Sequence, residues 1–173
     1  MTHLTEIKEL RKQAITNSYD EYKELIATWR NLDTKAQGNI TIAGIFIAGA
    51  FGYISKVDGQ PALYEKLFFG LTIVLLITSV ILAILVLRIR PVCSPPLGTF
   101  VTKYVTDISA VDDSEFDVYA RSIFIYHSDT WQAVNLELTL KSNDKGKHLW
   151  RAQLFLLAAV LAAALLTILK TFL

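Results

Sequence analysis

The side chains best suited to chemistry are few and scattered. Three histidines, His3, His127 and His148, stand far apart in the chain. The spacing of His127 and Asp129 is poorer than the His-x-x-x-His arrangement that sets two ligands on one helical face. They read as surface residues, and no metal site is expected. The one cysteine, Cys93, has no partner for an internal disulfide and reads as an inert loop thiol. Asp112, Asp113, Ser114 and Glu115 concentrate acids. Oxygens placed just ahead of a helical pattern serve the free N–H groups of its first turn, so this cluster marks a helix start near Glu115 rather than a pair of catalytic carboxylates. The sequence has no Gly-rich phosphate loop and no serine-hydrolase elbow. No catalytic residue and no cofactor is assigned, and an enzyme is not expected.

Composition points elsewhere. Of 173 residues, 53% are hydrophobic and 19% charged, an apolar balance for a soluble domain. Lys and Arg total 17 against 16 Asp and Glu, which leaves no broad basic field for DNA or RNA.

The apolar residues gather into three uncharged runs. Ala36 to Ser55 lies between Lys35 and Lys56; Leu67 to Leu87 reads LFFGLTIVLLITSVILAILVL; Ala152 to Leu169 lies between Arg151 and Lys170. At about 1.5 Å rise per residue each run suits a hydrocarbon core roughly 30 Å thick. The expected fold class is therefore all-α integral membrane. Its expected parts are an N-terminal cytosolic helix at 1–37, a transmembrane hairpin at 38–90 with spans at about 38–56 and 67–88, cytosolic loop and helices at 91–150, and a third transmembrane helix at 151–173. Six Lys and Arg precede the first run, two lie between the first and second, eight run from Arg88 to Arg151, and one follows the third. The excess sets the first and third groups in the cytoplasm, the turn near Asp58 and Pro61 outside, and the C-terminus outside. MTHLTEIKELRKQ carries charges where a secretory signal needs an apolar stretch, so Met1 is expected to be kept.

Ile15, Tyr22, Trp29 and Ala36 recur every seven positions, with Leu25, Leu32, Tyr19 and Ile26 beside them. This predicts a long amphipathic helix that can continue into the first span, because the first glycine is Gly38 and no proline intervenes. Its seam needs a partner, either the second cytosolic segment or another copy of the chain. Pro91, Pro95 and Pro96 end the second span in a stiff loop. FVTKYVTDIS is read as irregular. Two helical stretches follow, one buried through Phe116, Tyr119, Ala120 and Ile123, the other carrying Trp131, Val134, Leu138 and Lys145. Within the spans Gly44, Ala48 and Gly52 lie four apart, and Ala158 and Ala162 repeat the spacing; small residues at that interval allow close helix packing. No ionisable residue interrupts a span, which argues against a proton relay or ion-coupled transporter.

RNLDTKAQGNITIAG joins the first helix to the first span. Its Leu-Asp-x-Lys-Ala motif, with Asp33 and Lys35, resembles the same junction in the transmembrane effectors of the Pycsar system, a bacterial antiphage pathway signalled by cyclic pyrimidine nucleotides. Two-span effectors of related nucleotide-signalled defence systems are similar in layout. The likeness continues through the two close spans, Arg90 and Pro91, FVTKYVTDISAVDDSEF, and a helix with Asn135, Lys145 and Lys147 leading to a last span. The first forty residues depart from it in a longer helical extension.

The resemblance implies a homo-oligomer in the bacterial inner membrane. A cyclic nucleotide made by a cognate cyclase binds its cytosolic side and triggers loss of membrane integrity. A nucleotide needs cations for phosphate and flat faces for its base. Arg30, Lys35, Lys145, Lys147 and Arg151 offer the first, and Trp29 and Trp131 the second. Asp33 and Asn135 can read a base edge or hold a lysine in place. The plain alternatives are positive-inside anchors for the basic residues and a helix-end lock for Asp33 and Lys35. A membrane scaffold or subunit that docks a cytosolic partner through Ile15, Tyr22 and Trp29 is the competing function.

Overall fold

In the computed structural model residues 2–54, 62–91 and 113–172 are described. They form three helices: α1, Thr2–Ile54; α2, Leu63–Arg88; and α3, Asp113–Phe172. There is no strand among the described residues. Each of the three helices includes a stretch long and apolar enough to cross a membrane. The turn near Asp58, Cys93, Pro95, Pro96 and FVTKYVTDIS lie outside the described residues.

α1 runs without a break from the amphipathic repeat into the apolar run, as the absence of proline allows. α3 departs from the sequence reading. The two helical stretches and the third apolar run are one helix, because Gly146 is its sole glycine and it has no proline. One glycine costs a helix interior only about 1 kcal/mol relative to alanine. At the start of α2 the backbone N–H of Ala62 donates to Glu65 Oε2 at 3.0 Å, half of a capping box. α2 ends at Arg88, whose charge suits the carbonyl end of the helix, and Ile89 turns to an extended backbone two residues before Pro91.

Two compact units divide the chain. The first comprises Met1–Trp29 and Pro91–Ser142; the second comprises Arg30–Arg90 and Asn143–Leu173. In the first unit α1 and α3 run parallel, since Arg11 lies over the Phe124 ring while Tyr19 and Tyr22 meet Trp131 further along both helices. Trp131 is the anchor. Both tyrosine rings meet it edge-on, with centroids 5.9 and 5.4 Å away, the geometry that sets a positive ring edge on a negative face. Val134 and Leu138 are buried on the same side of α3.

The second unit contains three helices. Asn39 pairs with Ser79, and Ala36 clusters with Ala83 and Val86, so α2 runs antiparallel to α1. Ala36, Leu149 and Ala152 share one buried cluster, and Ala43, Leu76 and Ala159 another, so α1 and α3 again run parallel. Buried positions on α2, Thr72, Leu76, Ser79, Ala83 and Val86, alternate by four and three. This is the seam of knobs-into-holes packing. Alanines dominate its contact positions on α1 and α3, which lets the backbones approach closely.

One polar thread crosses this core. Asn39 Nδ2 donates to Ser79 Oγ at 2.8 Å, and Ser79 Oγ donates to the carbonyl of Ala152 at 2.8 Å. The three residues lie on three different helices, and Asn39 and Ser79 are buried. Ser79 holds both bonds, so Ser79→Ala strands the Asn39 amide, whereas Asn39→Leu leaves the bond to Ala152 in place. We expect Ser79→Ala to cost about 1–2 kcal/mol and Asn39→Leu less, measured by helix loss during SDS titration in mixed micelles. In the first unit Trp131→Ala is expected to cost about 3–5 kcal/mol by the same titration.

Candidate functional site

Asp33 and Lys145 meet where α1 and α3 run side by side in the second unit. Lys145 Nζ donates to Asp33 Oδ1 at 2.6 Å. Their surroundings differ: the Lys145 side chain is 1% exposed and that of Asp33 30%. An ammonium stripped of water needs a counter-charge held close, and the carboxylate supplies it while keeping part of its own hydration. Lys145 shares a seven-residue repeat with Leu138 and Ala152, both buried, so its position in the helix commits it to the interface. Asp33 sits one turn before Ala36, on the face of α1 that meets α3.

The remaining basic residues of this region point outward. Arg30, Lys35, Lys147 and Arg151 are exposed. Lys147 makes a 3.5 Å pair with Asp144 on its own helix, with both side chains mostly in solvent, an arrangement worth little to stability. The joint therefore has a buried ion pair at its centre and cations in solvent within two turns of it on both helices.

Asn135 and Trp131 belong to the first unit. Asn135 is 5% exposed, and its Nδ2 donates to the Ser18 carbonyl and to Glu21 Oε2, each at 3.0 Å. Its Oδ1 is buried without a hydrogen-bond partner. Asn135 lines a cleft of about 450 Å³ with Ser18, Glu21, Ser128, Gln132, Leu136 and Thr139. The lining holds a carboxylate and no cation, so this cleft suits a donor-bearing group and repels a phosphate. Trp131 is 7% exposed and engaged by two tyrosines, so it serves the packing of this unit. Trp29 is buried as well.

The residues grouped by the sequence thus separate. Asp33 and Lys145 come together; Arg30, Lys35, Lys147 and Arg151 face solvent on the same two helices; Trp131 and Asn135 are packed in the other unit. Among the small residues, Ala162 is buried, while Gly44, Ala48, Gly52 and Ala158 are exposed. Helix contacts within the chain use Ala36, Ala43, Ala83, Ala152 and Ala159 instead. Sequence reasoning misses the thread through Asn39 and Ser79; the polar residues set within two apolar runs are the signal that could find it. Among the described residues no group of three or more His, Cys, Asp or Glu side chains is placed to hold a metal ion.

The unequal burial of the pair makes its two halves unequal. Asp33→Asn removes the carboxylate that the buried ammonium bonds at 2.6 Å, for which we expect a loss of about 3–5 kcal/mol. Lys145→Met leaves a carboxylate that still reaches water and is expected to cost less. The double variant Asp33→Asn/Lys145→Met should recover most of the loss of Asp33→Asn alone, a coupling read from a double-mutant cycle of SDS-induced unfolding. No family model, curated protein or solved structure matches this chain, and its functional reading rests on these contacts and on the resemblance carried by Asp33 and Lys35.

Proposed function

We propose that the chain is a membrane effector of bacterial antiphage defence, gated by a cyclic nucleotide on its cytosolic side. In this reading the three helices cross the inner membrane with the N-terminus in the cytoplasm and the C-terminus outside. The residues between the second and third spans belong to the cytosolic part. The chain acts as a homo-oligomer that breaks the integrity of the bilayer, and it catalyses no reaction. The excess of Lys and Arg on either side of the hairpin and the small-residue stripe of Gly44, Ala48 and Gly52, exposed on the single chain, support this arrangement.

The observation that carries the reading is the joint of Asp33 and Lys145 flanked by solvent-facing Arg30, Lys35, Lys147 and Arg151. Guanidinium and ammonium groups at this level suit a phosphodiester. A ligand shifts the helices only as far as it binds one arrangement better than another. A phosphodiester that bridges cations of α1 and α3 favours whichever spacing of the two helices satisfies both, and the Asp33–Lys145 bond is the contact most directly opposed to any change in that spacing.

Dye release from liposomes carrying the purified chain in both orientations, scanned against cyclic mono- and oligonucleotides, tests the reading. Release with one nucleotide and not its relatives is the expected result. Arg151→Gln, which leaves the Asp33–Lys145 bond intact, should raise the nucleotide concentration needed by about tenfold. Silence across the panel from folded protein would overturn nucleotide gating. It would favour instead a scaffold that docks a cytosolic partner; of the face of Ile15, Tyr22 and Trp29 read for that role, Ile15 is exposed together with Ile7 and Leu10, whereas Trp29 is buried within the chain.

A further inference from the structure

The second unit holds a crevice of about 460 Å³ lined by residues of all three helices. Its walls are mainly apolar, with Ile45, Phe46, Phe69 and Leu166, and the hydroxyls of Thr72 and Thr167, which also line it, are bonded to carbonyls of their own helices. One end carries the charged groups. There Lys170 Nζ donates to the Tyr53 hydroxyl and lies 3.5 Å from Glu65 Oε1, and its side chain remains 47% exposed. The ammonium also sits 4.9 Å from the centre of the Tyr53 ring. Tyr53, Glu65 and Lys170 thus bind the ends of α1, α2 and α3 into one cluster at the mouth of the crevice.

We propose that this crevice is a phospholipid site, with one acyl chain between the helices and the lipid phosphate on Lys170. The chemistry of the two ends selects the occupant. A hydrocarbon slot closed by a half-exposed ammonium fits a molecule with an apolar tail and an anionic head. Lysine has three N–H donors, and Tyr53 and Glu65 engage two of them. Among the described residues nothing takes the third, which is left for a phosphate oxygen. A helix from a second copy fits less well. Among the described residues at this end the carboxylate is Glu65, and its oxygens are already engaged by Lys170 and by the Ala62 N–H, so those residues of a second copy bring no uncommitted anion. From Ala163 to Lys170 α3 rises about 10 Å, which accommodates the upper part of one acyl chain. A tyrosine and a lysine at the rim are the side chains that sit at the level of lipid headgroups, with apolar bodies inward and polar tips at the water.

The inference rests on the membrane reading of the three helices and is independent of the nucleotide. Native mass spectrometry of the detergent-purified full chain, titrated with palmitoyl-oleoyl phosphatidylglycerol, the matching diacylglycerol and inorganic phosphate, tests it. We expect one phosphatidylglycerol retained per chain, about fivefold tighter than diacylglycerol, with inorganic phosphate unbound. Lys170→Gln should abolish that preference while leaving the diacylglycerol affinity unchanged. Gly49 lines the crevice, and a Cβ built there meets nothing within 4 Å; Gly49→Leu adds its bulk to the crevice from a position where the Cβ is accommodated and should displace both lipids. Equal phosphatidylglycerol retention by the original chain and Gly49→Leu, or binding of inorganic phosphate in place of lipid, would overturn the site. Alkaline carbonate extraction separates the two readings. Chain released from membranes would overturn the membrane reading itself, whereas chain that stays embedded with unchanged lipid retention in Gly49→Leu overturns the crevice alone.

Discussion

A lysine ammonium with 1% of its side chain exposed sets the terms for the helices around it. Taking such a charge out of water costs several kcal/mol even after relaxation, and only a carboxylate at bonding distance offsets it. Asp33 therefore has to stay at one height on α1, facing one side. The alanines that follow on the same face, Ala36 and Ala43, inherit their orientation from this geometry and pack against Ala152 and Ala159 of α3. The close contact of these helices and the burial of Lys145 are mutually dependent: larger side chains would hold the backbones apart and let water reach the ammonium.

Polar groups and apolar packing divide the work in the second unit. The small residues supply contact area but little direction, since alanine against alanine tolerates rotation. Direction comes from Asn39, Ser79 and the Ala152 carbonyl, whose two bonds join three helices. Within an apolar setting an amide without a partner is costly, so the thread disfavours any rotation that breaks it. The first unit uses aromatic rings for the same purpose, with Trp131 between Tyr19 and Tyr22 and Asn135 tied to Ser18 and Glu21.

Much of the fold was legible in the sequence. The uncharged runs gave the three apolar helices, and the repeat of Ile15, Tyr22, Trp29 and Ala36 pointed to the single long α1. The division of the cytosolic part of α3 into two stretches was a misreading, because the residues between Ile123 and Trp131 include no glycine or proline to end a helix. Of the candidate site, Asp33 and Lys145 could be singled out, including the option that an acid holds a lysine. Their pairing with each other could not, since they stand 112 positions apart and the register of α1 against α3 is set by tertiary packing. The partners of Trp131 and Asn135 were hidden for the same reason: an amphipathic pattern says that a face is covered without saying by which helix.

The parallel course of α1 and α3 carries a consequence for folding. Both seams repeat every seven residues, so sliding one helix along the other by one repeat would set many seam positions against seam positions again, while parting Trp131 from Tyr19 and Tyr22. A slip of one repeat also sets Asp33 opposite Leu138 and Lys145 opposite Ile40, and separates two charges in an apolar setting. Moving α2 by the same interval sets Asn39 opposite Thr72 or Val86. The few polar residues thus act as an index mark, making one alignment among several similar ones far lower in free energy, as single buried polar residues do in coiled coils.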